Sequence, residues 1–255
     1  MNIDGSVAVV VTGGASGLGA AAAAAFAALG ARVTIFDLDA EAGTARAAAL
    51  GGLFHRVDVA DAGSVAAGLD AAEAAHGVAR VLVNCAGIAP AARTVSRGAP
   101  HDPALFQRVI AVNLVGVFNC ASQAAARMAA AEPVTADGER GVVVNTASVA
   151  AFDGQIGQIA YAASKGAVAA MTLPMARDLA DKGVRVCAVA PGLFATPMLE
   201  GLPPEVQASL GAQAPFPARL GAPSEFAALV RHIVENTMLN GEVIRLDAAI
   251  RMAPR

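Results

Sequence analysis

Residues 7 to 26 read VAVVVTGGASGLGAAAAAAF: an apolar, β-branched run breaks into glycines and then becomes almost pure alanine. Strand, glycine turn and helix in immediate succession form a βα unit whose loop faces outward, and this unit constrains the fold more than any other stretch. The glycines do not follow GxGxxG, because Ala15 and Leu18 stand at two of its glycine positions; Gly13, Gly17 and Gly19 fit TGxxxGxG instead. Glycine is required where φ is positive or where backbone must touch a ligand. A helix opening at Leu18 aims free N–H groups at a pyrophosphate. Gly13, Ser16, Gly17, Leu18 and Gly19 are therefore the candidate phosphate-binding residues.

From Gly5 to Ala31 no residue is charged, the length of a membrane span. The residue before it is Asp4, not a basic one, and glycines interrupt the run, so neither a signal peptide nor an anchor is expected.

Short, nearly continuous apolar runs recur at Val7 to Val11, Val33 to Phe36, Leu53 to Val57, Val81 to Val83, Val142 to Thr146, Val184 to Val189 and Val243 to Leu246. Strands buried on both faces of a parallel sheet have this pattern. Alanine-rich stretches of helical length separate them: Leu18 to Leu29, Ala40 to Leu50, Ser64 to Ala75, Pro103 to Ala131, Ala160 to Asp181 and Pro223 to Glu235. The alternation predicts a single doubly wound α/β Rossmann domain over 1–255, with a seven-stranded parallel sheet and helices on both faces. Two segments break it, 89 to 103 and the proline-rich 193 to 225, and long segments beyond strand ends serve as binding loops or lids.

Ligands of such sheets bind beyond the carboxyl ends of the strands, so the residues there are the candidates. Asp37 follows the second strand and can accept hydrogen bonds from an adenosine ribose while repelling a 2′-phosphate; the alternative is an N-cap of the next helix. No Arg or Lys adjoins Asp37 in the sequence and none lies in the glycine loop, which predicts NAD rather than NADP. Asp58 and Val59 suit an adenine edge, and Asn84, Ala86 and Gly87 let a cofactor lie against the sheet.

The chain has one tyrosine, Tyr161, and one of its two lysines stands four residues later, at Lys165. That spacing puts both on one helix face. Tyrosine ordinarily ionises near pH 10, and a close ammonium is expected to lower it toward neutrality for proton transfer. Ser148 ends the fifth strand run, thirteen residues before Tyr161, and can hold a substrate oxygen. Asn113 is a polar residue in an apolar helical stretch, so its amide must be satisfied, by backbone and a water leading to Lys165 or by structure alone.

Other chemistries are poorly served. Cys85, Cys120 and Cys187 are odd in number and widely spaced, and the four histidines do not cluster, so no disulfide framework, metal site or Ser/His/Asp arrangement is expected. A net charge of -3 gives no field for nucleic acid. Only 15% of residues are charged against 56% apolar, which points to subunit contacts and a homo-oligomer.

In order along essentially the whole chain, TGGASGLG, Asp58, NCAG at 84 to 87, Asn113, Ser148, YAASK at 161 to 165 and PG at 191 and 192 resemble the short-chain dehydrogenase/reductase family. The resemblance implies a catalytic tetrad of Asn113, Ser148, Tyr161 and Lys165. It also implies that Pro191, Gly192 and Thr196 cradle a nicotinamide, with Tyr161 and Lys165 near its ribose.

GVVVNTASVAAFDGQIGQIAYAASKGAV, MTLPMARDLA, APGLFATPML, PFPARLGAPSEFAALV and LNGEVIRLDAAIRM resemble one branch of that family. This branch consists of homotetrameric, NAD-dependent enzymes of fatty acid metabolism. It implies reversible oxidation of the 3-hydroxyl of short or branched 3-hydroxyacyl-CoA, with Gln155 and Gln158 as candidate substrate contacts beside Ser148. Rival readings are a 3-oxoacyl carrier-protein reductase, a broad alcohol or steroid dehydrogenase, and a scaffold without turnover. Arg93 and Arg97 either meet CoA phosphates or are solvated loop charges. The Ala/Arg-rich chain shows no transit segment, and a cytoplasmic protein free of membrane is expected.

Overall fold

In the computed structural model, which describes residues 1–201 and 203–254, each of the seven apolar runs is a strand of one sheet. The first half contains β1 (Ala8–Thr12), α1 (Gly17–Ala28), β2 (Arg32–Asp37), α2 (Ala40–Leu50), β3 (Leu53–Arg56), α3 (Ala62–His76) and β4 (Ala79–Asn84). A small hairpin of β5 (Val95–Ser96) and β6 (Ala99–Pro100) leads to α4 (Pro103–Ile110) and α5 (Gly116–Ala130). The rest comprises β7 (Gly141–Thr146), α6 (Ile159–Asp178), β8 (Val184–Pro191), α7 (Pro197–Glu200), α8 (Pro204–Gly211), α9 (Pro223–Glu235) and β9 (Val243–Leu246).

The seven long strands pair in parallel in the order β3-β2-β1-β4-β7-β8-β9. Side chains alternate along a strand, and here both parities are apolar because both faces are covered. Val9, Val11, Val33, Ile35, Val81 and Val83 pack with Ala22, Ala23 and Phe26 of α1 and with Phe226, Val230 and Ile233 of α9. Val10, Phe36, Leu82 and Val143 pack on the other face with Val65 and Leu69 of α3 and Cys120, Ala121 and Ala124 of α5. Ala22 and Ala23 are fully buried, so the alanine run after the glycine loop is what lets α1 lie close on the sheet.

Two expected elements differ. The predicted helix from Pro103 to Ala131 is α4 and α5 joined by a five-residue π turn, Ala111–Val115, with Asn113 at its centre. Over Pro103–Ala130 it is long and apolar enough to cross a membrane, but Val117, Cys120, Ala121 and Ala124 are buried in the protein core. The loop expected at 193 to 225 carries α7 and α8.

The strand order reverses at β1, whose neighbours are β2 on one side and β4 on the other. A crevice opens there beyond the carboxyl ends of the strands, and the candidate residues gather around it.

Candidate active site

Thr12 ties the two sides of this crevice together. Its hydroxyl accepts from the N–H groups of Cys85 and Ala86, both at 3.2 Å, and donates to Asn84 Oδ1 at 3.3 Å. The glycine loop is packed so tightly against this junction that side chains are excluded. A Cβ on Gly13, where φ is +64°, would lie 2.7 Å from Ala86 N, and one on Gly19 would lie 2.2 Å from the Gly13 carbonyl oxygen. Gly17, at φ +55°, faces Thr196.

Ser16 occupies the N-cap position of α1 but makes no side-chain cap bond. The N–H groups of Gly17 and Leu18 find no acceptor among the described residues. An uncapped helix start behind a side-chain-free loop is a cradle for a diphosphate, so these residues fit a dinucleotide.

Asp37 Oδ2 accepts from Ala15 N at 3.1 Å and Oδ1 from Asp39 N at 3.1 Å, which places the carboxylate at the edge of the loop. It is not the cap of α2: Asp39 fills that position and accepts from Ala42 N at 3.0 Å. Asp58 is exposed and accepts from Ala60 N at 2.9 Å. Val59 is buried where Gly116 leaves room, and its carbonyl accepts from Asn119 Nδ2 at 3.0 Å. Asn119 escaped the sequence reading, although, like Asn113, it is an amide in an apolar helix. The expectation that no basic residue adjoins Asp37 is corrected, because β3 pairs with β2 in a register that sets Arg56 opposite Asp37. Sequence neighbours say nothing about strand neighbours.

Beyond β7 and within α6 the catalytic candidates converge. The Ser148 hydroxyl acts on the Tyr161 phenol closely enough to hold its pKa down, and it accepts from Ala150 N at 3.1 Å. Lys165, 4% exposed, donates to the Thr146 carbonyl at 2.7 Å, and its Nζ lies 5.9 Å from the centre of the Tyr161 ring. A Cβ on Gly87 would lie 3.2 Å from Asn113 Oδ1, a tight contact, and 3.7 Å from Lys165 Nζ, an ordinary one.

Electrostatics correct one expectation. Burial raises the Tyr161 pKa above its ordinary value, against the opposing hydrogen bond from Ser148, while burial pushes Lys165 down to about 8. Desolvation is the largest cause at both groups, and the ammonium is engaged by a carbonyl rather than by the phenol. The partly buried Cys85 thiol is pushed up by desolvation to about 11 and stays protonated at neutral pH.

Asn113 is satisfied without a group on the way to Lys165. Its amide accepts from Ile88 N at 2.8 Å and donates to Ile88 O at 2.8 Å and to Ser164 Oγ at 3.1 Å. It clamps the segment after β4 onto α6, with Ser164 between it and the Tyr161 carbonyl. A second amide pair lies deeper: Asn84 Nδ2 donates to Asn145 Oδ1 at 2.9 Å.

Pro191 ends β8 and is buried, Gly192 N donates to Leu246 O at 2.9 Å, and Thr196 lies over the glycine loop at Gly17. The segment that follows β8 is thus closed onto the glycine loop.

At the start of α6 a cavity of about 410 Å³ is lined by Arg93, Thr94, Gln155, Ile156, Gln158 and Ala162, among others. Gln155 and Gln158 face it, but their polar atoms are largely engaged. Gln158 Oε1 accepts from Gln155 N at 3.0 Å, and Gln155 Nε2 donates to Ala253 O at 3.0 Å. They brace the loop, with the Gln158 amide nitrogen making no hydrogen bond among the described residues. On one side Ala92 N donates to Gly157 O at 2.8 Å, and on the other Ile156 N donates to Pro254 O at 3.0 Å. Arg97, at φ +52°, turns the exposed β5–β6 hairpin with Gly98, and neither Arg93 nor Arg97 has a charged or hydrogen-bonded partner among the described residues.

Comparison with known proteins places these features in context. A family model described as short chain dehydrogenase matches residues 7–207. The "3-hydroxyacyl-CoA dehydrogenase type-2" of Drosophila melanogaster is 53% identical over 96% of this chain and 97% of its own length. The Homo sapiens protein of the same name is 51% identical over 99% and 98%. A crystal structure of 3-hydroxyacyl-CoA dehydrogenase type-2 from Mycobacterium avium superposes with a TM-score of 0.93 at 44% identity, covering 98% of this chain and 97% of that one.

Proposed function

The chain belongs to the short-chain dehydrogenase family, and from that premise we propose that it oxidises the 3-hydroxyl of short or branched 3-hydroxyacyl-CoA thioesters reversibly, with NAD. It is an oxidoreductase acting on CH–OH groups. The observation that carries the reading is the Ser148–Tyr161–Lys165 arrangement at one end of the glycine-walled crevice.

Gly13, Gly17 and the start of α1 would hold the diphosphate, Asp37 the adenosine ribose, and Pro191, Gly192 and Thr196 the nicotinamide. When bound, the nicotinamide supplies the acceptor for the hydride that leaves the carbinol carbon. Ser148 holds the substrate hydroxyl, Tyr161 takes its proton, and Lys165 provides the positive charge that favours the phenolate. Asn113 keeps the floor of the site in register by fixing Ile88 to α6. Arg93, which lines the cavity without a charged or hydrogen-bonded partner among the described residues, supports CoA as the carrier, since such a guanidinium is available to phosphate.

A homotetramer in the cytoplasm is part of the same proposal; exposed Val115, Phe118 and Leu173 are apolar surface that subunit contact would cover.

Activity with acetoacetyl-CoA against the pantetheine-truncated thioester tests the substrate. Truncation is expected to lower kcat/KM by at least tenfold, because binding energy from the remote nucleotide is lost; equal rates would remove CoA from the reading.

The chain has one tyrosine and no tryptophan, so tyrosinate absorbance reports Tyr161 alone. In protein freed of dinucleotide its titration is expected above the ordinary 10.0, because burial favours the neutral phenol. Ser148→Ala is expected to move it higher still. Oxidation, which needs the phenolate, is correspondingly expected to speed up as pH rises, while reduction, which needs the phenol, holds through neutrality. A titration below 10 in the free protein would contradict this electrostatic account.

A further inference from the structure

We propose that Arg56 is a second determinant of dinucleotide choice, drawing toward the adenosine ribose the 2′-phosphate that Asp37 repels. The inference rests on the dinucleotide reading of the crevice.

The argument begins with register. Asp37 ends β2 and pairs with Arg56 at the end of β3, and paired residues of parallel strands stand on the same face about 4.8 Å apart. That face is fixed by neighbours two residues back. Ile35 and its partner Phe54 both belong to the core beneath α1, and Phe54 also fills the space over Gly43 of α2. Asp37 and Arg56 continue this row out to the crevice mouth.

Arg56 is exposed and has no ion pair or hydrogen bond among the described residues. The carboxylates around it are oriented by their own turns. Asp37 accepts from Ala15 N and Asp39 N, Asp39 from Ala42 N, and Asp58 from Ala60 N, while Glu41 is exposed on α2. Asp37 opposite Arg56 and Asp58 two residues beyond it keep the local balance negative, which agrees with NAD as the preferred form. A phosphate on the ribose 2′-oxygen would nevertheless meet a planar donor suited to two-point binding of phosphate. Discrimination is then a difference between Asp37 and Arg56 rather than a property of Asp37 alone.

Calorimetric affinities for 2′,5′-ADP and 5′-AMP, on the wild type, Arg56→Gln, Asp37→Asn and the double variant, test this, with melting curves confirming each fold. The quantity read is the ratio of the two dissociation constants. Asp37→Asn is expected to shift it at least tenfold toward 2′,5′-ADP, and adding Arg56→Gln is expected to cancel most of that shift. Raising the salt from 0.05 to about 0.5 M is expected to shrink the Arg56 contribution, as it would for an exposed charge. If 5′-AMP binds and the ratio is unmoved by Arg56→Gln in both backgrounds, the role assigned to Arg56 is overturned. If neither nucleotide binds to any of the four, the dinucleotide reading falls, and this inference with it.

Discussion

Replacing Lys165 by methionine is expected to lower turnover by about a hundredfold to ten-thousandfold, the range of a general acid–base contribution, while leaving the folded protein little less stable at pH 7. The reason lies in burial. The ammonium ordinarily loses its proton at 10.5 and does so at about 8 in the fold, so folding disfavours the charged form. A depression of that size corresponds to about 3 kcal/mol against the folded state wherever lysine is charged in both states, which is below pH 8. Between pH 8 and 10.5 the unfolded chain binds the proton and the folded one does not, so this burden is relieved as pH rises. Methionine removes the burden at every pH but leaves the Thr146 carbonyl without its donor, a loss of about 1 to 3 kcal/mol. The two effects nearly cancel at pH 7. At pH 10 the wild type is expected to gain on the variant, and comparing melting temperatures at the two pH values isolates this lysine from every other titrating group. A wild-type advantage that shrinks with pH would invert the sign and discredit the desolvation account. Tyr161→Phe, by contrast, is expected to lose activity to a similar extent with no such pH-dependent crossover.

Gly19→Ala carries the second large effect. One methyl group there would sit 2.2 Å from the Gly13 carbonyl oxygen and 2.8 Å from its carbon, and both are main-chain atoms of a loop already held against Ala86. Nothing flexible stands in the way to yield, so the loop itself must move. Overpacking of this kind costs about 1 to 3 kcal/mol, more than alanine returns in helix propensity. The larger consequence is for binding, since the N–H groups of Gly17 and Leu18 lose their aim together; NAD affinity is expected to fall at least a hundredfold. Gly51→Ala is the matching control. Gly51, unlike Gly19, has a positive φ, +64°, and nothing lies within 4 Å of its would-be Cβ. It should lose about 1 kcal/mol of stability and no NAD affinity. Equal effects on NAD affinity in the two variants would show that lost stability, not the approach of the loop to itself, weakens binding.

Local chemistry made the strands, the glycine loop and the Tyr161 and Lys165 pair legible. Two-sided burial leaves continuous apolar runs, and a glycine at a positive φ or a close approach leaves a letter no other residue replaces. What the sequence could not disclose depends on contacts across the fold. Arg56 becomes a neighbour of Asp37 only when β3 docks on β2. The Asn113 amide is occupied by Ile88 and Ser164, whose positions follow from how the chain leaves β4 and how α6 packs. The direction of the Tyr161 shift was misjudged for a related reason: spacing on a helix reports proximity, whereas the sign of the shift depends on how much water burial removes.

The wall of the cavity at the start of α6 is assembled from separate stretches of chain. The segment from Gly154 to Gln158 is held on one flank by Ala92 and on the other by Ala253 and Pro254, with the Arg245 guanidinium bridging Asp153 to Asp247 beneath it. None of these flanking residues is among the groups that transfer the proton. Mutational drift in the tail or in the approach to the β5–β6 hairpin can therefore reshape which substrates are admitted while the reacting atoms keep their geometry. A scaffold arranged in this way lets a lineage explore new substrates without first losing its chemistry.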